Sequence, residues 1–303
     1  MINFEPITLN HRQHYLSCLQ EAPERGCEYS FTNLFLWGRQ KMAFVCGNVV
    51  VFSQYNRKSV YLFPVGSGDL KATVDRIIED AAQRGIPCRI VGLTKADQER
   101  LQTLYPGNFR FHTDRDSFDY VYGIHELAEL KGRKYQRKRN HLNRFYQEHP
   151  DYAFVPITEE NLPQVRQLVQ TWYDQHLQED PTADYQMEQA AIFKALEHMQ
   201  ALSAQGLLLY TEGQPVAMCL GSRLSEQTFD VHFEKALQHY EGGYAAINQA
   251  FARSLREQYP QLSFLNREDD MGLEGLRKAK LSYNPEKLLE KYWACLLEDG
   301  YDY

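Results

Sequence analysis

The stretch Thr228-Phe229-Asp230-Val231-His232-Phe233-Glu234 alternates strictly between apolar and ionisable side chains. In a strand, Phe229, Val231 and Phe233 then face one way and Asp230, His232 and Glu234 the other. A row of ionisable groups on a central strand suits a general base. Such a base needs only a carboxylate or imidazole within one water of an attacking amine. Glu234, at the strand end beside Lys235, is the candidate. A solvent-facing strand surface is the competing reading.

Further along, Phe264-Leu265-Asn266-Arg267-Glu268-Asp269-Asp270-Met271-Gly272 leads into Leu273-Glu274-Gly275-Leu276-Arg277-Lys278-Ala279-Lys280-Leu281-Ser282-Tyr283. Arg267 and Glu268 leave the carboxyl end of a short apolar strand, where α/β sheets hold ligands. They join Glu234 as catalytic candidates. Asp269 and Asp270 read as an acidic cap on the helix that follows, where the dipole offsets their charge. Gly272 and Gly275 admit a close neighbour. Arg277 and Lys280 lie one turn apart, able to hold a phosphate or carboxylate, or to pair with Glu274 and Asp270.

The segment 131–144 carries seven Lys or Arg and no acid. The other residues hold 26 basic against 40 acidic side chains, a balance of −14 within a total of −7. At helical spacing Tyr135, Leu142 and Tyr146 share a face, with Phe145 nearby, and Arg133, Arg137, Asn140 and Arg144 form a stripe opposite. Like charges one turn apart weaken a helix, so something else must favour them. A polyanion, tRNA or an anionic lipid, is one answer. It makes Lys131, Arg133, Lys134, Arg137, Lys138, Arg139, Asn140 and Arg144 the contact set. Docking on the acidic remainder of the protein is the other.

Around these residues one order of elements recurs: strand, two helices, three antiparallel strands, helix, strand, helix, strand. The second half shows it between Ala153 and Leu297, with strands at Gly206–Thr211, Pro215–Arg223 and Thr228–Glu234 and one last strand over Lys287–Leu297. The first half repeats it more weakly, closing with strands near Phe109–His112 and Phe118–Tyr122. The predicted class is α/β with mixed α+β sheets, a tandem duplication of Gcn5-related N-acyltransferase-like domains. The expected boundaries are 1–125, a basic linker helix at 126–149, and 150–303 with the active site. In that fold a Gly-Gly helix start such as Gly242-Gly243 offers backbone N–H groups to the pyrophosphate of acyl-CoA. Here Tyr240 stands where that signature has Arg or Gln, and Glu241 would repel a pyrophosphate.

At 303 residues the chain suits two domains, and 43% hydrophobic with 24% charged residues is globular. The N-terminus has no signal-peptide pattern and no apolar run approaches membrane length, so a cytoplasmic protein is expected. Six scattered cysteines without a C-x-x-C pair fit reduced core thiols better than disulfides or zinc, and no metal is expected.

Leu130 to Tyr135 with Lys138-Arg139-Asn140-His141, Phe233 to Ala236, Ala246-Ile247-Asn248-Gln249, Asn266 to Asp269 and Gly275 to Tyr283 together resemble a known family. It is the soluble bacterial family related to the phosphatidylglycerol lysyltransferase C-terminal domain, similar in plan to Fem-type peptidoglycan aminoacyltransferases. The resemblance spans nearly the whole chain. It implies an aminoacyl group taken from aminoacyl-tRNA and passed to an amine or a lipid hydroxyl. It also marks Asn266, Arg277, Lys280, Ser282 and Tyr283 as substrate-binding. An acyl-CoA-dependent N-acyltransferase and a non-catalytic binding protein are the alternatives. The last would need neither the Glu234 row nor Arg267-Glu268.

Overall fold

The computed structural model describes residues 1–20, 24–55, 58–182 and 184–297. The first half holds β1 (Glu5–Pro6), α1 (Arg12–Gln20), α2 (Phe31–Leu36), β2 (Gln40–Val45), β3 (Asn48–Tyr55), β4 (Lys58–Leu62), β5 (Val65–Gly66), α3 (Leu70–Arg84), β6 (Arg89–Leu93), α4 (Lys95–Leu104) and β7 (Phe109–Thr113). Then come β8 (Asp119–Gly123), α5 (Ile124–Glu129), α6 (Gln136–Glu148), β9 (Ala153–Pro156), α7 (Leu162–Glu179), α8 (Gln186–Glu197) and α9 (Met199–Leu202). The chain ends with β10 (Gln205–Thr211), β11 (Gln214–Arg223), β12 (Thr228–Ala236), α10 (Gly243–Gln258), β13 (Phe264–Asn266), α11 (Glu274–Leu281), β14 (Lys287–Leu289) and β15 (Tyr292–Leu296).

Local signals set many of these limits. Asp69 caps α3 by accepting the Ala72 N–H, and Gly85 ends that helix at φ +65°. Thr94 and Asp97 form a capping box on α4. Among the described residues no helix is long and apolar enough to cross a membrane.

Two mixed sheets form, and they match position by position. The first runs β1-β2-β3-β4-β6-β15-β7, with β5 beside β3; the second runs β9-β10-β11-β12-β13-β8-β14. In each, antiparallel strands lead to one parallel pair, β4 with β6 and β12 with β13. The strand at the sixth position of each comes from the other half of the sequence. The expected contiguous partition therefore does not describe the sheets. Asp119–Gly123 builds the second sheet rather than closing the first, and Tyr292–Leu296 lies in the first rather than the second. The two compact units are residues 1–119, 269–272 and 289 onward, and residues 120–268 and 273–288. The end of the expected second domain, 298–303, lies outside the described residues.

Side-chain chemistry gives the reason. In the first unit Ala294 is fully buried in the core with Val50, Phe63, Ile77, Ile90 and Leu101. The expected single strand 287–297 breaks at Glu290-Lys291. There Lys291 turns its ammonium inward, 2.6 Å from Asp119 and 2.7 Å from Glu28. Cys46, expected among apolar core residues, is exposed in the turn between β2 and β3, whereas Cys27, Cys88, Cys219 and Cys295 are buried.

The basic segment is not a linker but part of the second unit. A short 3₁₀ turn over Arg133–Tyr135 leads into α6. Tyr135, Leu142 and Phe145 are buried, and Arg133, Arg137, Asn140 and Arg144 are exposed, as the helical spacing predicts. The helix packs against the start of α10. Gly242 there has φ +91°, and a Cβ on it would fall 2.6 Å from the His141 carbonyl oxygen. Gly242→Ala should cost about 1–3 kcal/mol from backbone strain and that collision. Urea denaturation should read the loss; an unchanged midpoint would contradict this packing.

Candidate active site

The site forms where β12 and β13 part. They pair in parallel only at Thr228–Phe264, Phe229–Leu265 and Asp230–Asn266. Beyond that, the Arg267 N–H donates to the Tyr120 carbonyl and the Tyr120 N–H to that of Glu268. Residues 267 and 268 thus stay with the β8 side while β12 continues to Ala236. On the other side of β12, Leu220 faces Phe233 and Gly221 faces Val231, so His232 is an extra, bulged residue. Gly221 makes room, because a Cβ there would lie 2.2 Å from the Asp230 carbonyl oxygen. The alternation expected along this strand is interrupted at His232.

Glu234 and Arg267 meet. The Arg267 Nη2 donates to Glu234 Oε1 at 2.9 Å, both side chains being about nine-tenths buried. Asn248, from α10, donates its Nδ2 to the other oxygen at 3.2 Å. The guanidinium stacks by Tyr283 (4.8 Å) and Tyr122 (5.5 Å). Burial works against the Arg267 charge, and Glu234, Tyr122, Tyr283 and Cys219 together outweigh it, so its pKa rises. Burial also raises both tyrosines. From α6, Lys138 reaches the other cation-binding position, with Nζ 3.7 Å from the Tyr283 ring centroid. Burial first and Arg267 second push the Lys138 pKa down to about 8.

A second group adjoins this one. His232 Nε2 lies 2.8 Å from Ser222 Oγ, and Nδ1 lies 3.3 Å from Glu268 Oε1 and 3.5 Å from Asp230 Oδ2. The imidazole and Asp230 are buried, whereas Glu268 is about a quarter exposed. Glu268 has φ +58°, a left-handed conformation that a residue other than glycine adopts only when its surroundings hold it. One ligand atom from each of Asp230, His232 and Glu268 lies within 4.8 Å of the others, a set whose chemistry suits a divalent cation. Cys27, Glu28 and Asp119 form a similar set in the first unit, where the Lys291 ammonium already supplies the positive charge.

Other expected site residues have different work. Lys280 is buried and donates to the carbonyls of Arg267 and Glu268, fixing the loop rather than meeting a phosphate. Asn266 accepts the Glu268 N–H at 2.8 Å and shapes the same loop. Ser282 is exposed and turns back to the Ala279 carbonyl. Arg277 is half-buried on α11, and only Tyr283 of the expected substrate-binding set flanks the Arg267–Glu234 pair. Asp269 and Asp270 do not cap α11, which starts at Glu274. Asp270 is buried 3.5 Å from Arg115, within the first unit. Gly275 has open space around it, so no close approach explains it.

The cofactor role expected for Gly242 and Gly243 is not supported. The α6 backbone occupies the space above Gly242, Gly243 is buried, and Glu241 pairs with Arg144 at 2.6 Å. Of the polyanion set, Lys131 pairs with Glu129, Arg139 bonds the carbonyls of Leu130 and Gly132, and Asn140 accepts from Gln136. Arg133, Lys134 and Arg137 stay on the surface. Sequence reasoning gave Asn248 and Ser222 no role and counted Lys138 as surface. Its spacing from Tyr135 and Leu142, three and four residues, already puts it on the inward face.

A parted parallel pair beside a bulged central strand, present in a sheet with a matching companion, defines a tandem Gcn5-related N-acyltransferase-like protein. The family model "Phosphatidylglycerol lysyltransferase, C-terminal" matches residues 20–295, and the chain belongs to that family. A solved protein of unknown function from Bacteroides thetaiotaomicron is 38% identical, with a TM-score of 0.92 over 98% of this chain and 100% of that one. L-PGS from Bacillus licheniformis is 17% identical, with a TM-score of 0.70 over 98% and 94% of the two chains. FemX is 11% identical, with a TM-score of 0.63 over 98% of each. The last two share the fold alone. The uncharacterized protein MYCGA3080 of Mycoplasmoides gallisepticum is 31% identical over 178 residues, 58% of this chain and about half of that protein's length (55%).

Proposed function

We propose that this protein transfers an aminoacyl group from aminoacyl-tRNA to an amine or lipid hydroxyl, in the gap between β12 and β13. The observation that carries this reading is the buried Arg267–Glu234 pair at that gap, with Lys138 of the basic helix beside it. Membership of a family named for a lysyltransferase supports transfer of an aminoacyl group. The exposed Arg133, Arg137 and Arg144 support a polyanionic donor. The covered, glycine-led start of α10 counts against acyl-CoA.

In this reading the acceptor nitrogen or oxygen attacks the ester carbonyl. The new amide or ester bond forms, the bond to the ribose oxygen breaks, and that oxygen takes up a proton. Glu234, with both oxygens engaged, holds Arg267 in position. Glu268, partly open and backed by His232, receives the nucleophile's proton.

Thermal shift tests the donor. Charged tRNA at 100 times its dissociation constant should stabilise the protein by about 2.7 kcal/mol, and acetyl-CoA should do nothing. A shift with acetyl-CoA and none with charged tRNA would overturn the reading. Affinity for tRNA should also fall steeply with salt. Changing Arg133, Arg137 and Arg144 together to Gln should reduce the log–log slope by about three units at most. The reduction should be smaller than that, because Arg144 already pairs with Glu148 and Glu241. An unchanged slope would return the stripe to a purely structural role.

A further inference from the structure

Around Tyr283 the second unit brings together two cations and one carboxylate, Arg267 and Glu234 about nine-tenths buried and Lys138 half-buried. Arg267 pairs with Glu234, and among the described residues no carboxylate lies within ion-pair distance of Lys138. Both cations lie close to one aromatic ring, Tyr283, at 3.7 Å and 4.8 Å from its centroid. Arg267 Nη1 is buried and finds no hydrogen-bond acceptor among the described residues. Asn248 Oδ1, on the other side of Glu234, is buried and finds no donor. A partly desolvated ammonium without an ion-pair partner carries a cost, and a buried polar atom without a partner costs about 1–3 kcal/mol. The local charge is positive by one, and what is missing is an anion that also offers a hydrogen-bond donor.

We infer that Lys138 and Arg267 form an anion subsite for a phosphate ester carrying a neighbouring hydroxyl, the phosphate against the two cations and the hydroxyl toward Asn248 Oδ1. The basic segment then has two faces with one purpose: Arg133 and Arg137 meet polyanion outside, and Lys138 of α6 meets a single anionic group on the inward side. This deepens the proposed transfer site and rests on that reading for its biological meaning. The subsite itself needs no donor or acceptor to be measured. Such a phosphate ester occurs at a nucleic acid 3′ end and in a glycerophospholipid head group.

Sulfate, which does not titrate between pH 6 and 10, is the first probe. The groups facing the Lys138 ammonium are Arg267 and Glu234 from the gap, Tyr283 after α11, and Arg137 on its own helix. Because burial has lowered the Lys138 pKa to about 8, the ammonium is lost as pH rises through that value. Calorimetric titration of the intact protein should give one saturable sulfate site. Its affinity should be level below pH 7 and fall above pH 8. Lys138→Met should weaken binding by about 10- to 100-fold, the loss of one charge-assisted bond. Lys138→Arg should restore binding and flatten the pH profile.

Competition then separates the sources. Displacement by the dinucleotide CpA supports a nucleic acid end, and displacement by phosphatidylglycerol micelles supports a lipid head group. Displacement by neither overturns the phosphate-ester assignment. Absence of saturable binding, or binding unchanged in Lys138→Met, overturns the subsite. Sulfate binding with no transfer from aminoacyl-tRNA would instead leave the subsite standing and remove the transfer reading.

Discussion

Glu268→Gln is expected to lower the rate of aminoacyl transfer by about 10²- to 10⁴-fold, the usual cost of losing a general base. Folding should survive, since the amide oxygen can still face His232 Nδ1, 3.3 Å away. Glu234→Gln should behave differently. It leaves the Arg267 guanidinium, about nine-tenths buried, without its carboxylate, and breaking such a pair costs about 3–5 kcal/mol. One variant should lose rate at nearly constant stability; the other should lose stability first. Steady-state kinetics with denaturation curves on both will tell them apart. A Glu268→Gln protein retaining half its rate would remove Glu268 as the base.

Lys291→Met should destabilise the first unit by about 3–5 kcal/mol. The ammonium lies between Asp119, Glu28 and the Cys27 thiol, and Asp119 is fully buried. Removing the cation leaves the fully buried Asp119 carboxylate uncompensated beside that of Glu28. With a urea dependence of about 1–3 kcal/mol per molar, the midpoint should fall by one molar or more. A loss below about 1 kcal/mol would mean that the cluster is not a structural lock. The position matters because Lys291 immediately precedes β15, the strand whose Ala294 completes the first core.

Much of the architecture is legible in the residues. The alternation over 228–234, the hairpin at Glu212-Gly213 and the capped start of α3 each act locally, so local chemistry announces them. The exchange of closing strands is not announced. Asp119–Gly123 and Tyr292–Leu296 are both short and apolar enough to pair in either sheet, and pattern carries no address. The anchor for the second, Lys291, reads in the sequence as one more surface lysine.

The site divides in the same way. Glu234 and Arg267 are foreseeable because both sit at strand ends, where a parted pair opens a gap. Their direct pairing is not, and it engages one Glu234 oxygen with Arg267 while Asn248 takes the other. The bulge at His232 turns on Gly221, 11 residues upstream, and no periodicity in β12 reveals it. Lys280 reads as a phosphate ligand by charge alone. Its burial against two carbonyls is a tertiary fact.

If the gap between β12 and β13 moves an aminoacyl group supplied by tRNA, that group should pass to an acceptor when the protein is present. The most direct measurement incubates the protein with a pool of radiolabelled aminoacyl-tRNAs and either phosphatidylglycerol vesicles or a primary amine. Label is then followed from tRNA into the acceptor. The account predicts protein-dependent transfer of label that collapses in Glu268→Gln and weakens in Lys138→Met. Label that stays on tRNA with every acceptor, while labelled acetyl-CoA acylates the amine in a Glu268-dependent way, would contradict it.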